Sequence, residues 1–143
     1  MDKKALFHKL VSFTSSVHRV TNELTLNAKP DSVTQVQYKI LEYITVNQPV
    51  TPSDISDCQN MSMPNTSREL KKLSEYGFIE KMNDTEDRRK QYIRLSKAGE
   101  IVMEEAFAMI ESRFLNRVQK ASEEDLEDIE RALDILQTKL FHQ

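Results

Sequence analysis

Early in the chain the apolar positions alternate between steps of four and three: Leu6, Leu10, Phe13, Val17, Val20 and Leu24. Such a stripe fits one long helix with a heptad edge. Pro30 and Asp31 close the connection that follows it. Thr34 with Gln37 three residues on forms a capping box, which predicts a second helix whose buried face is Val36, Ile40, Tyr43 and Ile44. Asn47-Gln48-Pro49 reads as a turn. Thr51, Pro52 and Asp54 then start a short helix over about 52–58. A further helix begins around Ser62-Met63-Pro64 and runs to Tyr76, with Thr66, Leu70 and Leu73 inward and Gly77 as its left-handed cap.

The period then changes. Phe78–Met82 and Gln91–Leu95 are strand-like, and the charged stretch from Asn83 to Lys90 joins them as a β-hairpin. Ser96 opens a long helix reaching about Lys120. Its apolar content is Ile101, Val102, Phe107, Met109, Ile110, Phe114, Leu115 and Val118. Ser122-Glu123-Glu124-Asp125 starts the last helix, with acids at its positive end. Leu126, Ile129, Leu133, Leu136 and Leu140 continue the steps of three and four. The expected fold class is mainly α. A winged helix-turn-helix lobe, α plus a small β-hairpin wing, covers 31–99. Long N- and C-terminal dimerisation helices cover 1–30 and 100–143, all within a single domain 1–143. The dimerisation edges are Leu6, Leu10, Phe13, Val17, Leu126, Ile129, Leu133, Leu136 and Leu140, two stripes richer in apolar residues than one small lobe needs.

Charge alters this picture more than composition does. The net charge is −3, unpromising for a nucleic-acid binder until it is divided along the chain. Residues 60–99 carry an excess of three positive charges and residues 100–143 an excess of six negative ones. The local balance governs an encounter with phosphates. The helix after the turn presents Ser62, Asn65 and Ser67 at its N-terminal end, short enough for the backbone to approach base edges. Arg68, Lys71 and Lys72 follow, within reach of flanking phosphates. Taken alone these are an ordinary solvated face; the capped short helix before them and the basic hairpin after them favour DNA. At the hairpin tip Arg88, Arg89 and Lys90 are adjacent cations, suited to a narrow minor groove. Asp84 and Asp87 are placed to hold an arginine fork by bidentate pairing. Neighbours on a hairpin point to opposite sides, so either Arg88 or Arg89 enters the groove, not both. Thr51, at the start of the short helix, completes the DNA-binding set of Thr51, Ser62, Asn65, Ser67, Arg68, Lys71, Lys72, Asp87, Arg88, Arg89 and Lys90.

Other chemistry is sparse. Two glycines leave no phosphate-cradling motif. No nucleophile–base pair stands out, so no enzyme is expected. His8, His18 and His142 lack ligand spacing, so neither a metal nor another cofactor is expected. Cys58 has an acid, Asp57, beside it and no histidine near it in sequence. A half-buried structural cysteine is expected rather than a thiol redox sensor, which stays as an alternative. The absence of an apolar leader or span, with one cysteine, predicts a cytoplasmic protein that does not contact membranes.

Ser62 to Gly77, Phe78-Ile79-Glu80, Asp84-x-x-Asp87-Arg88-Arg89 and Ile93-x-Leu95-Ser96-x-x-Gly99 together resemble the MarR (multiple antibiotic resistance regulator) family over nearly the whole chain. The resemblance implies a homodimeric transcriptional regulator, in the main a repressor, on a pseudo-palindromic double-stranded operator. It also implies that the Arg89 position enters the minor groove and that the Asp87 position orients it. Met63-Pro64 departs from the family's usual residues, so no base preference carries over. A small aromatic effector between the terminal helices and the lobe is implied too; Phe13, Tyr38 and Tyr43 are its expected contacts. A winged-helix adaptor acting through protein–protein contacts is the competing reading, left open by the acidic C-terminal helix and opposed by intact Arg88 and Arg89.

Overall fold

The computed structural model describes residues 1–142. The helices are α1 (Lys3–Thr25), α2 (Gln35–Asn47), α3 (Pro52–Gln59) and α4 (Met63–Glu75), then, after the hairpin, α5 (Lys97–Arg117) and α6 (Glu123–Lys139). The hairpin is β1 (Ile79–Asn83) antiparallel to β2 (Gln91–Leu95), with Ile79 opposite Leu95 and Asn83 opposite Gln91. Val50 adds a third row, pairing with Ile93 through two backbone hydrogen bonds.

The helix starts are fixed locally. Thr34, Thr51 and Ser122 close capping boxes with Gln37, Asp54 and Asp125. Ser62 and Ser96 each accept a backbone N–H three residues on. Each such cap satisfies an amide that has no partner within its helix, worth about 1 kcal/mol. At the other end of α4, Gly77 takes φ +80, a left-handed conformation that glycine adopts without a Cβ clash.

The core lies between α2, α3, α4, the hairpin and the first half of α5. Ile40, Leu41, Ile44, Ile55, Leu73, Ile93 and Met103 are fully buried in it, each contributing roughly 1.5–3 kcal/mol of apolar burial. Met103 and Ala106 place the N-terminal half of α5 in this core, so the expected boundary after residue 99 falls inside a continuous helix. On α2 the expected buried face is corrected. Val36 is exposed and Tyr43 only half-buried, while Gln37, Tyr38 and Leu41 are buried beside Ile40 and Ile44. The helix is turned by roughly one residue, ~100°, because Gln37 has a polar partner inside the lobe.

A knot of hydrogen bonds ties the hairpin to its neighbours. Ser96 N–H donates to Phe78 O (2.9 Å) and Ser96 Oγ to Gly77 O (2.5 Å), while Gly99 N–H donates to Ser96 Oγ (3.0 Å). A Cβ on Gly99 would lie 2.0 Å from Phe78 O. The first turn of α5 thus lies directly against the backbone that joins α4 to β1. Elsewhere, Arg113 of α5 donates through Nη1 to Leu24 O (2.9 Å) and Leu26 O (2.5 Å), satisfying carbonyls at the end of α1.

The terminal helices are different. Neither α1 nor α6 contains a buried residue. The two helices flank a groove of about 470 Å³ lined by Leu6, Phe7, Leu10, Phe13, Leu136 and Leu140. No helix is long and apolar enough to cross a membrane among the described residues.

Two outcomes are expected from this packing. Gly99→Ala must push Phe78 or α5 aside, and overpacking of this kind costs about 1–3 kcal/mol, measurable by chemical denaturation. Tyr38 is 3% exposed, and its hydroxyl finds no hydrogen-bond partner among the described residues. Burial first, then the Glu42 carboxylate, push its pKa up from 10.0 to about 12. The folded state therefore keeps a proton that the unfolded chain releases. Its contribution is intact below pH 10 and is lost as pH rises through 12. Tyr38→Phe should be neutral or slightly stabilising at pH 7 and should blunt the alkaline fall in stability. A steeper alkaline loss in the variant would refute this account.

Candidate nucleic-acid interface

The start of α4 is built to face outward. Ser62 Oγ accepts from Asn65 N–H (3.2 Å), Thr66 Oγ1 donates to Ser62 O (2.9 Å), and Pro64 stands where no amide is needed. Thr66, Leu70 and Leu73 hold one face against the core. The opposite side leaves Asn65, Ser67, Arg68, Lys71 and Lys72 exposed. Arg68 and Lys71 make no ion pair among the described residues, whereas Lys72 Nζ lies 3.7 Å from Glu69.

At the wing tip, Asp84 N–H donates to Lys90 O and Lys90 N–H to Asp87 O, both at 3.1 Å. Asp87 Oδ1 accepts from Arg89 N–H (3.0 Å) and Arg89 Nε (3.3 Å). The expectation that two aspartates grip an arginine is corrected on both points. Asp84 spends its carboxylate on Glu86 N–H (2.9 Å), closing the turn. Asp87 holds Arg89 through Nε alone, so the terminal guanidinium nitrogens stay free. The Arg89 side chain is 92% exposed; by itself such a pair adds little stability, and its effect is orientation. Arg88 is exposed and without an ion pair among the described residues.

The structure brings Thr51 together with the wing. A cleft of about 380 Å³ is lined by Thr51, Pro52, Ser53, Met63, Arg88, Arg89, Lys90 and Gln91. Thr51 Oγ1 is committed to Asp54 N–H (3.1 Å), so its part here is to set the start of α3. Ser53, one residue into the helix and exposed, was missed. Its signal was available, since a hydroxyl in a helix's first turn sits at the positive end of the dipole. Cations at the wing and a helix start at its base make this cleft suited to a phosphate.

Three expected residues do not come together. Phe13 lines the groove between α1 and α6, Tyr38 is sealed in the core, and Tyr43 lines a small cavity with Asp54, Asp57 and Cys58. Burial first, then Asp54, Cys58 and Asp57, raise the Tyr43 pKa. Cys58 is exposed rather than half-buried, because Ile55 and Ser56 are the residues α3 turns inward. No cluster of metal ligands occurs among the described residues.

Residues 33–90 match the model of the MarR family. The HTH-type transcriptional regulator YdgG of Bacillus subtilis (strain 168) is 27% identical over 132 residues, covering 91% of this chain and 84% of that protein. Among solved structures, a MarR family protein from Bacillus stearothermophilus is 19% identical with a TM-score of 0.75, covering 99% of each chain. A single-residue mutant of S. aureus MepR, bound to an oligodeoxyribonucleotide, is 21% identical with a TM-score of 0.59, covering 92% of this chain and 97% of that one. The winged lobe thus carries the sequence pattern of the MarR family, and the chain along its length shares the winged-helix fold of MarR-family transcriptional regulators.

Proposed function

We propose that the chain acts as a homodimeric, sequence-specific repressor of the cytoplasm that grips a pseudo-palindromic double-stranded operator. The observation that carries the reading is the convergence, at one cleft, of the starts of α3 and α4 with the cations of the wing, together with an exposed polar and cationic face along α4. Asn65 and its neighbours Ser62 and Ser67 would face base edges in the major groove. Arg68, Lys71, Lys72, Arg88 and Lys90 would meet phosphates, and Arg89, steered by Asp87, would enter the adjacent minor groove. That S. aureus MepR holds an oligodeoxyribonucleotide on a similar fold supports the same use here.

Dimerisation follows from the terminal helices. Leu6, Phe13, Val17, Leu126, Ile129, Leu133 and Leu140 are all more than 40% exposed, while Leu10 and Leu136 are half-buried. Two long amphipathic helices without one buried residue call for a partner surface, and a second copy supplies the matching stripe. The two α4 helices would then enter successive major grooves about 34 Å apart. A dimer lying across both grooves covers the duplex it binds, which makes repression by occlusion the natural output. Phe13, Tyr38 and Tyr43 share no pocket, so no effector site is assigned to them. Nor does an exposed Cys58 among acids support a redox role, and the cationic wing favours DNA over an adaptor's protein partner.

Sedimentation at micromolar concentration should show a dimer; a clean 16.6 kDa monomer would sink this assembly. With a duplex selected from a random pool, Arg89→Ala should lose about 1–3 kcal/mol of specific binding and flatten the A·T preference beneath the wing. Lys71→Ala should weaken all sequences alike and lower the salt slope by about one unit. If Arg89→Ala binds as tightly as the native protein while Arg88→Ala does not, the inserted arginine is Arg88.

A further inference from the structure

Gln37 is 1% exposed, an unusual depth for an amide on the first turn of a helix. Its polar atoms are all directed. Oε1 accepts from Thr34 N–H (3.0 Å), completing the capping box, and Nε2 donates to Glu69 Oε2 (3.0 Å) on α4. The other carboxylate oxygen of Glu69 lies 3.7 Å from Lys72 Nζ. Among the described residues this is the only side-chain hydrogen bond that α4 makes to another element.

Helical spacing gives the contact its meaning. Asn65, Glu69 and Lys72 stand at i, i+4 and i+7, one ridge along α4. The ridge lies between the buried stripe of Thr66, Leu70 and Leu73 and the outermost residues Arg68 and Lys71. An apolar stripe fixes the rotation of a helix loosely, since dispersion contacts are non-directional. A hydrogen bond from a buried, doubly committed amide fixes it closely. With side chains about 5 Å from the helix axis, a ~10° rotation shifts their ends by about 1 Å, enough to break a base-edge hydrogen bond.

We propose that Gln37, acting through Glu69, is a positioning residue for sequence recognition: it sets the rotation of α4, and with it the placement of Asn65 and Lys72 against DNA. The proposal rests on the DNA-facing role of α4 given above. It differs from a stabilising contact in its signature. A loosened α4 still presents its cations to phosphates, so non-sequence-specific binding survives while discrimination falls.

The test uses the full-length protein, the duplex selected by the native protein, and a random-sequence duplex of equal length, at one salt concentration. Gln37→Glu keeps the acceptor for Thr34 N–H but sets two carboxylates against each other. Its affinity for the selected duplex should fall about tenfold, the scale of one charge-assisted hydrogen bond, with random-duplex affinity changed by less than about threefold. Adding Glu69→Gln restores a donor–acceptor pair with its direction reversed, and should return the selected-duplex affinity to within about threefold of native. If Gln37→Glu fails to fold, Glu69→Ala carries the test, with the same tenfold loss confined to the selected duplex. Equal losses on both duplexes, no loss in Glu69→Ala, or a double variant no better than Gln37→Glu alone would overturn the proposal. Failure of the native protein to select any duplex would instead strike the operator-binding reading, whereas a selected duplex whose affinity ratio is unchanged in Gln37→Glu strikes this proposal alone.

Discussion

The close approach of α5 to the α4–β1 turn is the constraint on which the rest of the lobe depends. Phe78 O accepts from Ser96 N–H, Gly77 O accepts from Ser96 Oγ, and Gly99 leaves room for both. Through that single knot the end of α4, the exit of the wing and the start of α5 share one rigid frame. Backbone groups at so close a junction, half-shielded from water, must find partners or lose up to about a hydrogen bond each. Here the partners are drawn from three elements, so none can shift without exposing another's polar atoms. The wing's other strand is secured by Val50 and by Gln48 Oε1, which accepts from Leu95 N–H (2.9 Å). The tip is therefore carried by a sheet anchored on both sides, even though Arg89 itself is almost wholly in solvent.

Much of this was legible in the sequence, and the reason is local chemistry. Ser and Thr caps write their position within four residues, so Thr34, Thr51, Ser62, Ser96 and Ser122 announced their helices. Gly77 announced the end of α4, and the Leu95-Ser96-x-x-Gly99 exit announced the knot without revealing its geometry. The inward face of α4 was legible too, because Leu70 and Leu73 are apolar positions on a polar helix and Thr66 falls at helical spacing on the same side.

What was not legible depends on distant partners. Val36 looked like core and Gln37 like surface by hydropathy alone; the order is reversed because Glu69, 32 positions away, meets the Gln37 amide. Cys58 belongs to a helix of eight residues, too short for periodicity to say which side faces water. By spacing alone Asp84 and Asp87 are equivalent; the resemblance singles out Asp87, and the path of the turn supplies the reason, assigning Asp84 to the backbone and Asp87 to Arg89. Resemblance and aromatic character together point to Phe13, Tyr38 and Tyr43, and neither carries information about whether these side chains share a cavity.

The lack of any buried residue in α1 and α6 has a consequence for the cell rather than for the operator. Helices of this kind owe their persistence to docking, and in the proposed dimer a subunit without its partner would offer them as segments prone to fray. Proteases act on such locally unfolded stretches. Newly made subunits would then compete between pairing and degradation, so the abundance of the regulator would be filtered before it meets any DNA. Synthesis below the level that supports pairing would leave few survivors, and synthesis above it would accumulate long-lived dimers. A sharp onset of this sort comes from the shape of the terminal helices alone and needs no cooperativity on the chromosome.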